Sequence, residues 1–475
     1  MLRYDQVMIE EAKIQIFEKA PVHKAVLSQA APAVAAQMVV LINTLADTYF
    51  IGRLNDPVLT AAVTIGSSAS FIMLVISSLF GVGAASAISR ALGRKDYEDC
   101  RIYSAVAFWM GFAGAVIYAV LLFLFLEPFL SLCGATGDIF EPASAYVIWL
   151  VIYGCCFGVG NPLLANLIRS EGSSAVASAG VALGALLNIV LDPLFILPGF
   201  LNRGAAGAGQ ATALGNALTV LIFLIYILTR KKNSVLSVSP KHLVHAKRVL
   251  PEILSIGFPS ALQTALTVVA VTALAKFTSF YGPVPVAAYG IVKKLNMLPL
   301  YVVIGISNGL MPLLAYNYSA GNEPRRKGIF RFGVTISVSF AVICLIVYEI
   351  FAPSLSAVFI KDPETVSYAS GFLRRVVVAQ PLMAFCYPML IQFQAMKQVK
   401  AATVCSIIRK GVLDVPLLFL MDTLIPLYGC MWVQPIVDTV SLVVELYFYR
   451  RIMKNLQLQA VDQHQSGRSS EEIPG

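Results

Sequence analysis

Apolar residues run along this chain in long windows that hold no charge, as at residues 103–126 and 333–348. An α-helix rises about 1.5 Å per residue, so roughly 20 such residues cross the core of a bilayer. The pattern predicts spans at residues 25–51, 58–89, 102–126, 140–168, 174–197, 208–229, 252–280, 285–317, 329–351, 366–396, 399–425 and 431–449. That is an all-α polytopic membrane protein of twelve helices. Composition agrees: 58% of the 475 residues are hydrophobic and 13% are charged. The mean hydropathy is +0.76, which excludes a soluble domain.

Charge then orients the spans, because short cytoplasmic loops carry the excess of Lys and Arg. One set of ends holds Lys13, Lys19 and Lys24, then Arg90, Arg94, Lys95 and Arg101, then the basic cluster from Arg230 to Arg248, then Arg325 to Arg331, and finally Arg450, Arg451 and Lys454. The other ends hold only Arg53, Arg203 and Lys361. Both termini are therefore expected in the cytoplasm. The net charge of +9 is accounted for by this asymmetry and by anionic lipid headgroups, with no call on nucleic acid. The first 24 residues are mixed and charged, unlike a cleavable secretion signal. The eight cysteines show no metal-ligand spacing and read as buried free thiols. His242 and His245 read as solvated loop residues. The polar end, residues 455–475, reads as a disordered cytoplasmic tail.

The chain also repeats itself. "VLSQAAPAVAAQ" from Val26 matches "ILSIGFPSALQT" from Ile253 at an offset of 227, and Ala62, Gly83, Ala175 and Leu187 meet Ala288, Gly309, Ala401 and Leu413 at an offset of 226. Six spans per half is an even number, so both halves enter from the same side and are related by an axis along the membrane normal. The expected organisation is a cytoplasmic segment 1–24, a six-helix bundle 25–229, a linker 230–251, and a second, pseudo-symmetric six-helix bundle 252–454. Gly81, Gly83, Ala84 and Ala85 in the second span allow helices to approach closely. A cleft between the two bundles is the natural place for a substrate.

Polar residues at depth carry the candidate chemistry, since a carboxylate inside a membrane is costly and faces a cavity or a partner. "GALLNIVLDPLFI" (184–196) puts Asn188 and Asp192 on one helical face at i, i+4. Asp47, in "LINTLADTYFIG", lies at a similar depth in the first span. Two carboxyls from different helices of one bundle can hold a proton, or a sodium ion with help from the Asn188 oxygen. The other half does not copy the pair: Asp47 maps to Leu274, Asp192 to Leu418 and Asn188 to Asp414. It carries Lys293, Lys294, Arg409, Lys410, Asp414, Asp438 and Glu445 instead, with Lys410 and Asp414 spaced to neutralise one another.

"LADTYFIGRLND" (45–56), "LIRSEG" (167–172), "LNIVLDPLFI" (187–196), "AAYGI" (287–291) and "PLLAYNYSAGN" (312–322) resemble the signature stretches of multidrug and toxic compound extrusion (MATE) transporters. The branch of DNA-damage-inducible F proteins is the most similar. The resemblance runs over about residues 20 to 455 and implies two six-helix bundles facing each other in a V. It implies antiport of a bulky, often cationic drug against protons or sodium ions, with no cofactor and no enzymatic activity. Carried over by residue, it makes Asp47, Asn188, Asp192 and Thr212 the cation-coupling group, with sodium, if used, at Asp47, Asn188 and Asp192. Tyr146, Asn166, Gln37, Gln263, Lys294, Arg409 and Asp414 are the candidate substrate contacts. The expected protein is a monomer in a bacterial or archaeal plasma membrane, with a small molecule and membrane lipid as partners. The alternative is a flippase for lipid-linked oligosaccharides, for which the basic C-terminal bundle would hold a pyrophosphate.

Overall fold

The computed structural model describes residues 15–54, 56–197, 199–230 and 234–469, with side chains to residue 458. Among the described residues there is no strand. The first bundle consists of α1 (Val22–Gly52), α2 (Pro57–Gly93), α3 (Tyr97–Leu124), α4 (Gly137–Tyr153 with Cys155–Ser170), α5 (Ser174–Ile196) and α6 (Gly204–Thr229). The second consists of α7 (Ala246–Ser279), α8 (Pro283–Ser319), α9 (Glu323–Ala357), α10 (Pro363–Ala395), α11 (residues 399–424) and α12 (Tyr428–Leu458). Ten of these are long and apolar enough to cross a membrane singly, and α4 passes as a pair bent by 53°. The twelfth, α11, holds Lys400, Arg409, Lys410, Asp414 and Asp422, charges that hide it from any hydropathy test.

Local chemistry sets the helix starts. Asp56, Asp96, Asn322 and Asp362 each accept a hydrogen bond from a backbone N–H one turn on, at 2.8, 3.0, 3.2 and 2.8 Å, which satisfies an orphan donor of the first turn. The repeat is visible in the turns as well. Lys95 (φ 61°) between α2 and α3 answers Gly321 (φ 72°) between α8 and α9, and Gly172 (φ 89°) between α4 and α5 answers Lys397 (φ 57°) between α10 and α11. Each pair places one left-handed residue at the same point of the two bundles. Most helices run a few residues beyond the expected spans, and two differences are larger. The helix expected at 252 begins at Ala246 behind a 3-10 turn at Pro240–His245, and the last helix continues to Ser469 instead of ending at 454. The rest of the tail, residues 470–475, and the first 14 residues lie outside the described residues.

The bundles meet along the halves of α1, α2, α7 and α8 nearest the termini. Small residues permit this: a β-carbon at Gly309 would stand 2.6 Å from Ala30 Cα and one at Gly305 2.7 Å from Val34 Cα, while Gly83 lies against the Ile253 carbonyl and Gly257 against that of Leu79. A polar hub reinforces the contact. Glu252 of α7 accepts from Arg90 Nη2 at 2.9 Å, Tyr103 Oη at 2.8 Å and Lys397 Nζ at 3.2 Å.

The segment before α1 adds a wedge at the same end. Phe17 is wholly buried, stacks on Tyr316 with centroids 4.6 Å apart, and packs on Gly172. Arg325 Nε and Asn317 Nδ2 donate to its carbonyl at 2.6 and 3.3 Å. One aromatic thus ties the α4–α5 turn of the first bundle to α8 and α9 of the second. Toward the far end the ties thin out to Ser78 with Thr264 at 3.5 Å and Thr44 with Tyr301. The described residues therefore form two lobes closed at the terminus-bearing end and parting toward the other.

Candidate functional site

α5 does not stop at Pro193. It continues to Ile196 with the proline inside it, and because proline has no N–H the Ile189 carbonyl loses its helical partner there. Asn188 and Asp192, 3% and 1% exposed, flank this interruption and face α1 and α6. The carboxyls of Asp47 on α1 and Asp192 lie close enough to interact directly. Ionised carboxylates only accept, so the two can hydrogen-bond each other only with one proton between them. The Asn188 amide completes the array: its Nδ2 donates to Asp47 Oδ1 at 3.0 Å and Asn43 Oδ1 at 2.6 Å, and its oxygen accepts from the Thr212 backbone N–H at 3.0 Å. Turned over, the amide would set its oxygen against other acceptors. Thr212 spends its hydroxyl on the Ala208 carbonyl at 3.0 Å. Tyr146, 7% exposed, lies within electrostatic reach of both carboxyls, and Asp192 Oδ2 is buried without a protein partner.

The structure therefore brings Asp47, Asn188, Asp192, Thr212 and Tyr146 together and adds Asn43, which sequence reasoning missed. Its signal was present: Asn43 precedes Asp47 by four residues, on the same face of α1. Among the described residues no group of three His, Cys, Asp or Glu is arranged to hold a metal ion.

Asn166 sits elsewhere. It lies in the last turn but one of α4, at the terminus-bearing end, beside Arg169 and Asn308. Gln37 on α1 is half-buried and Gln263 on α7 is buried, on the two helices that face each other across the cleft. Lys294 is half-buried on α8.

Arg409 and Asp414 belong to a buried charged group of the second lobe. Arg409 Nε meets Asp438 Oδ1 at 3.1 Å and lies over the Tyr387 ring at 4.2 Å. The expected Lys410–Asp414 pairing does not form. A π turn at Ile408–Val412 widens the helix between them and breaks the i, i+4 stacking, and Lys410 Nζ donates to Gln434 Oε1 at 2.6 Å instead. Glu445 completes the group, bonded to the Cys386 thiol.

Two six-helix lobes, a cleft between them and a pair of carboxyls at depth inside one lobe are the frame of a multi-pass membrane transporter. The family model MatE matches residues 32–194 and 259–420, one copy per lobe, and the chain belongs to that family. It is 29% identical over 433 residues to the multidrug export protein MepA of Staphylococcus saprophyticus, covering 91% of this chain and 94% of that one. It is 30% identical over 425 residues to MepA of Staphylococcus aureus, covering 89% and 92%. Among solved structures, a MATE protein in complex with MaL6 superposes with a TM-score of 0.87 at 23% identity over 94% of this chain and 99% of that one. A MOP superfamily transporter from Pyrococcus furiosus superposes with a TM-score of 0.83 at 24% identity, over 94% and 98%. These likenesses establish the two-lobe fold and a transporter, not an enzyme.

Proposed function

We propose that this chain exports bulky amphipathic, often cationic compounds from the cytoplasm in exchange for a cation, by alternating access in the plasma membrane of a bacterium or archaeon. It works as a monomer without a cofactor. The basic clusters put the terminus-bearing end in the cytoplasm, so the closed end described above faces inward and the cleft faces out. The multidrug export relatives support the class of cargo. The single observation that carries the coupling is the close approach of the Asp47 and Asp192 carboxyls from two helices of one lobe, with the Asn188 amide between them and α6.

A proton fits this site better than sodium. A sodium ion between the carboxyls needs oxygen ligands, and the Asn188 amide turns its nitrogen toward Asp47. Proton arrival from outside closes the Asp47–Asp192 bond and draws α1 toward α5, and cargo favours the deprotonated lobe. Exchange follows because each ligand biases one equilibrium only by its differential affinity for the two states.

The basic residues that recommended a flippase are engaged within the lobe, Arg409 by Asp438 and Lys410 by Gln434, which argues against a pyrophosphate partner there. The test is efflux of ethidium from proteoliposomes under an imposed proton gradient or an imposed sodium gradient. Proton-driven efflux in the wild type, abolished in Asp47→Asn, is expected. Efflux that responds only to sodium, or that survives the substitution, would overturn the assignment.

A further inference from the structure

Four arginines are buried in this molecule: Arg90, Arg169, Arg326 and Arg409. Three have a carboxylate: Arg90 meets Glu252 at 2.9 Å, Arg326 meets Glu323 at 2.7 Å and Arg409 meets Asp438 at 3.1 Å. Arg169 has none among the described residues. Its Nε is buried without a hydrogen-bond partner, and no charged group among the described residues acts on it. Glu171, two residues on, already accepts from Ser173, Tyr226 and Ser234 and from the Val235 backbone N–H. An uncompensated guanidinium buried among protein groups costs several kcal/mol, so its retention calls for a counter-charge that the described residues do not supply.

The guanidinium borders a small cavity of about 20 Å³ between the lobes. Asn166 of α4 and Asn308 of α8 line it with Arg169, and the Met311, Pro312 and Ile391 side chains close it from the second lobe. The donors thus come from both lobes: a cation and an amide from the first, an amide from the second. One water needs roughly 10–15 Å³ on this measure, so the space takes a single halide-sized species and excludes a phosphate or a cargo carboxylate on its hydrocarbon stem. Water alone would hydrogen-bond the amides and leave the charge.

We propose that Arg169, Asn166 and Asn308 hold one small monovalent anion, chloride in the cell, at the interface of the two lobes. The site exists only while α4 and α8 lie together. Bound anion therefore favours the state closed at the terminus-bearing end, and parting of the lobes there dismantles the site and releases it.

The test is thermal unfolding of the purified protein in sodium chloride, sodium bromide, sodium gluconate and sodium phosphate at matched sodium concentration, with anomalous diffraction from bromide-soaked crystals. The wild type should show a saturable rise in Tm with chloride and bromide over gluconate, and a bromide peak beside Arg169. Arg169→Gln should lose the rise, and Asn308→Leu should weaken apparent chloride affinity about tenfold or more. The Asn308 variant carries the test if Arg169→Gln does not fold. Equal Tm values in chloride and gluconate, a rise with phosphate in place of halide, an undiminished rise in Asn308→Leu, or bromide absent from the cavity would each overturn the proposal, leaving the cavity to water.

Discussion

Asp47 and Asp192 of the first lobe face each other among amides, whereas the residues at the same positions of the second lobe, Leu274 and Leu418, pack in one apolar cluster with Phe277, Tyr348 and Phe372. Both lobes bring the two positions together, so the backbone fixes the meeting and the side chains decide what it does. In one lobe the meeting is between two titratable groups; in the other it is core. The second lobe keeps its charge elsewhere, more than two turns back along α11, where Arg409 forms a buried group with Asp438 and Glu445 that contains an ion pair. A pair of like carboxyls can change state by gaining or losing a proton, while an Arg–Asp pair at this depth gives up its partner only at great cost.

This contrast can be broken in order of effect. Asp47→Asn or Asp192→Asn should reduce proton-driven ethidium efflux to the level of empty liposomes, while Glu445→Gln in the second lobe keeps most of it; equal losses in all three would erase the difference between the lobes. Next, Arg409→Gln should lower stability by roughly 3–5 kcal/mol, since it strands the buried Asp438 carboxylate. The double variant Arg409→Leu with Asp438→Leu should recover most of that, measured by thermal unfolding in detergent. Phe17→Ala removes an aromatic wedge from the closed end, and stacking of this kind is worth about 0.5–1.5 kcal/mol beyond burial. Faster hydrogen exchange over residues 305–316, with the exchange of α5 unchanged, is the expected sign.

The smallest effect belongs to Asp362, outside the spans. Hydrogen bonds from the Thr365 hydroxyl and backbone N–H hold its carboxyl below the ordinary carboxylate range. A lowered value in the folded state means the cap stabilises the start of α10 at neutral pH and fades as acid protonates it. Asp362→Ala should therefore cost a little Tm at neutral pH and nothing once the pH falls below that range.

Much of the site was legible in the sequence because the membrane makes a lone carboxylate conspicuous: Asp47 and Asp192 stand out of apolar runs, and the repeat showed which lobe keeps them. The twelve spans were legible from the apolar windows, α11 among them despite its charges, and the repeat matches it to α5. Spacing failed where the helix was not regular. Lys410 and Asp414 looked paired until the π turn at Ile408–Val412 intervened. Asn166 failed for another reason: a polar residue on the right helix does not reveal its distance from the pair along the membrane normal. The closing wedge of Phe17 and the hub at Glu252 depend on contacts across hundreds of residues, for which neither periodicity nor composition leaves a trace.

The most direct measurement is proton release on substrate binding. Ethidium is added to the purified transporter in weakly buffered detergent solution with a pH indicator. If Asp47 and Asp192 share the exchanged proton, the wild type releases about one proton per ethidium bound near neutral pH, and Asp47→Asn binds ethidium without releasing any. Binding without proton release in the wild type, or the same release from the variant, would contradict the account.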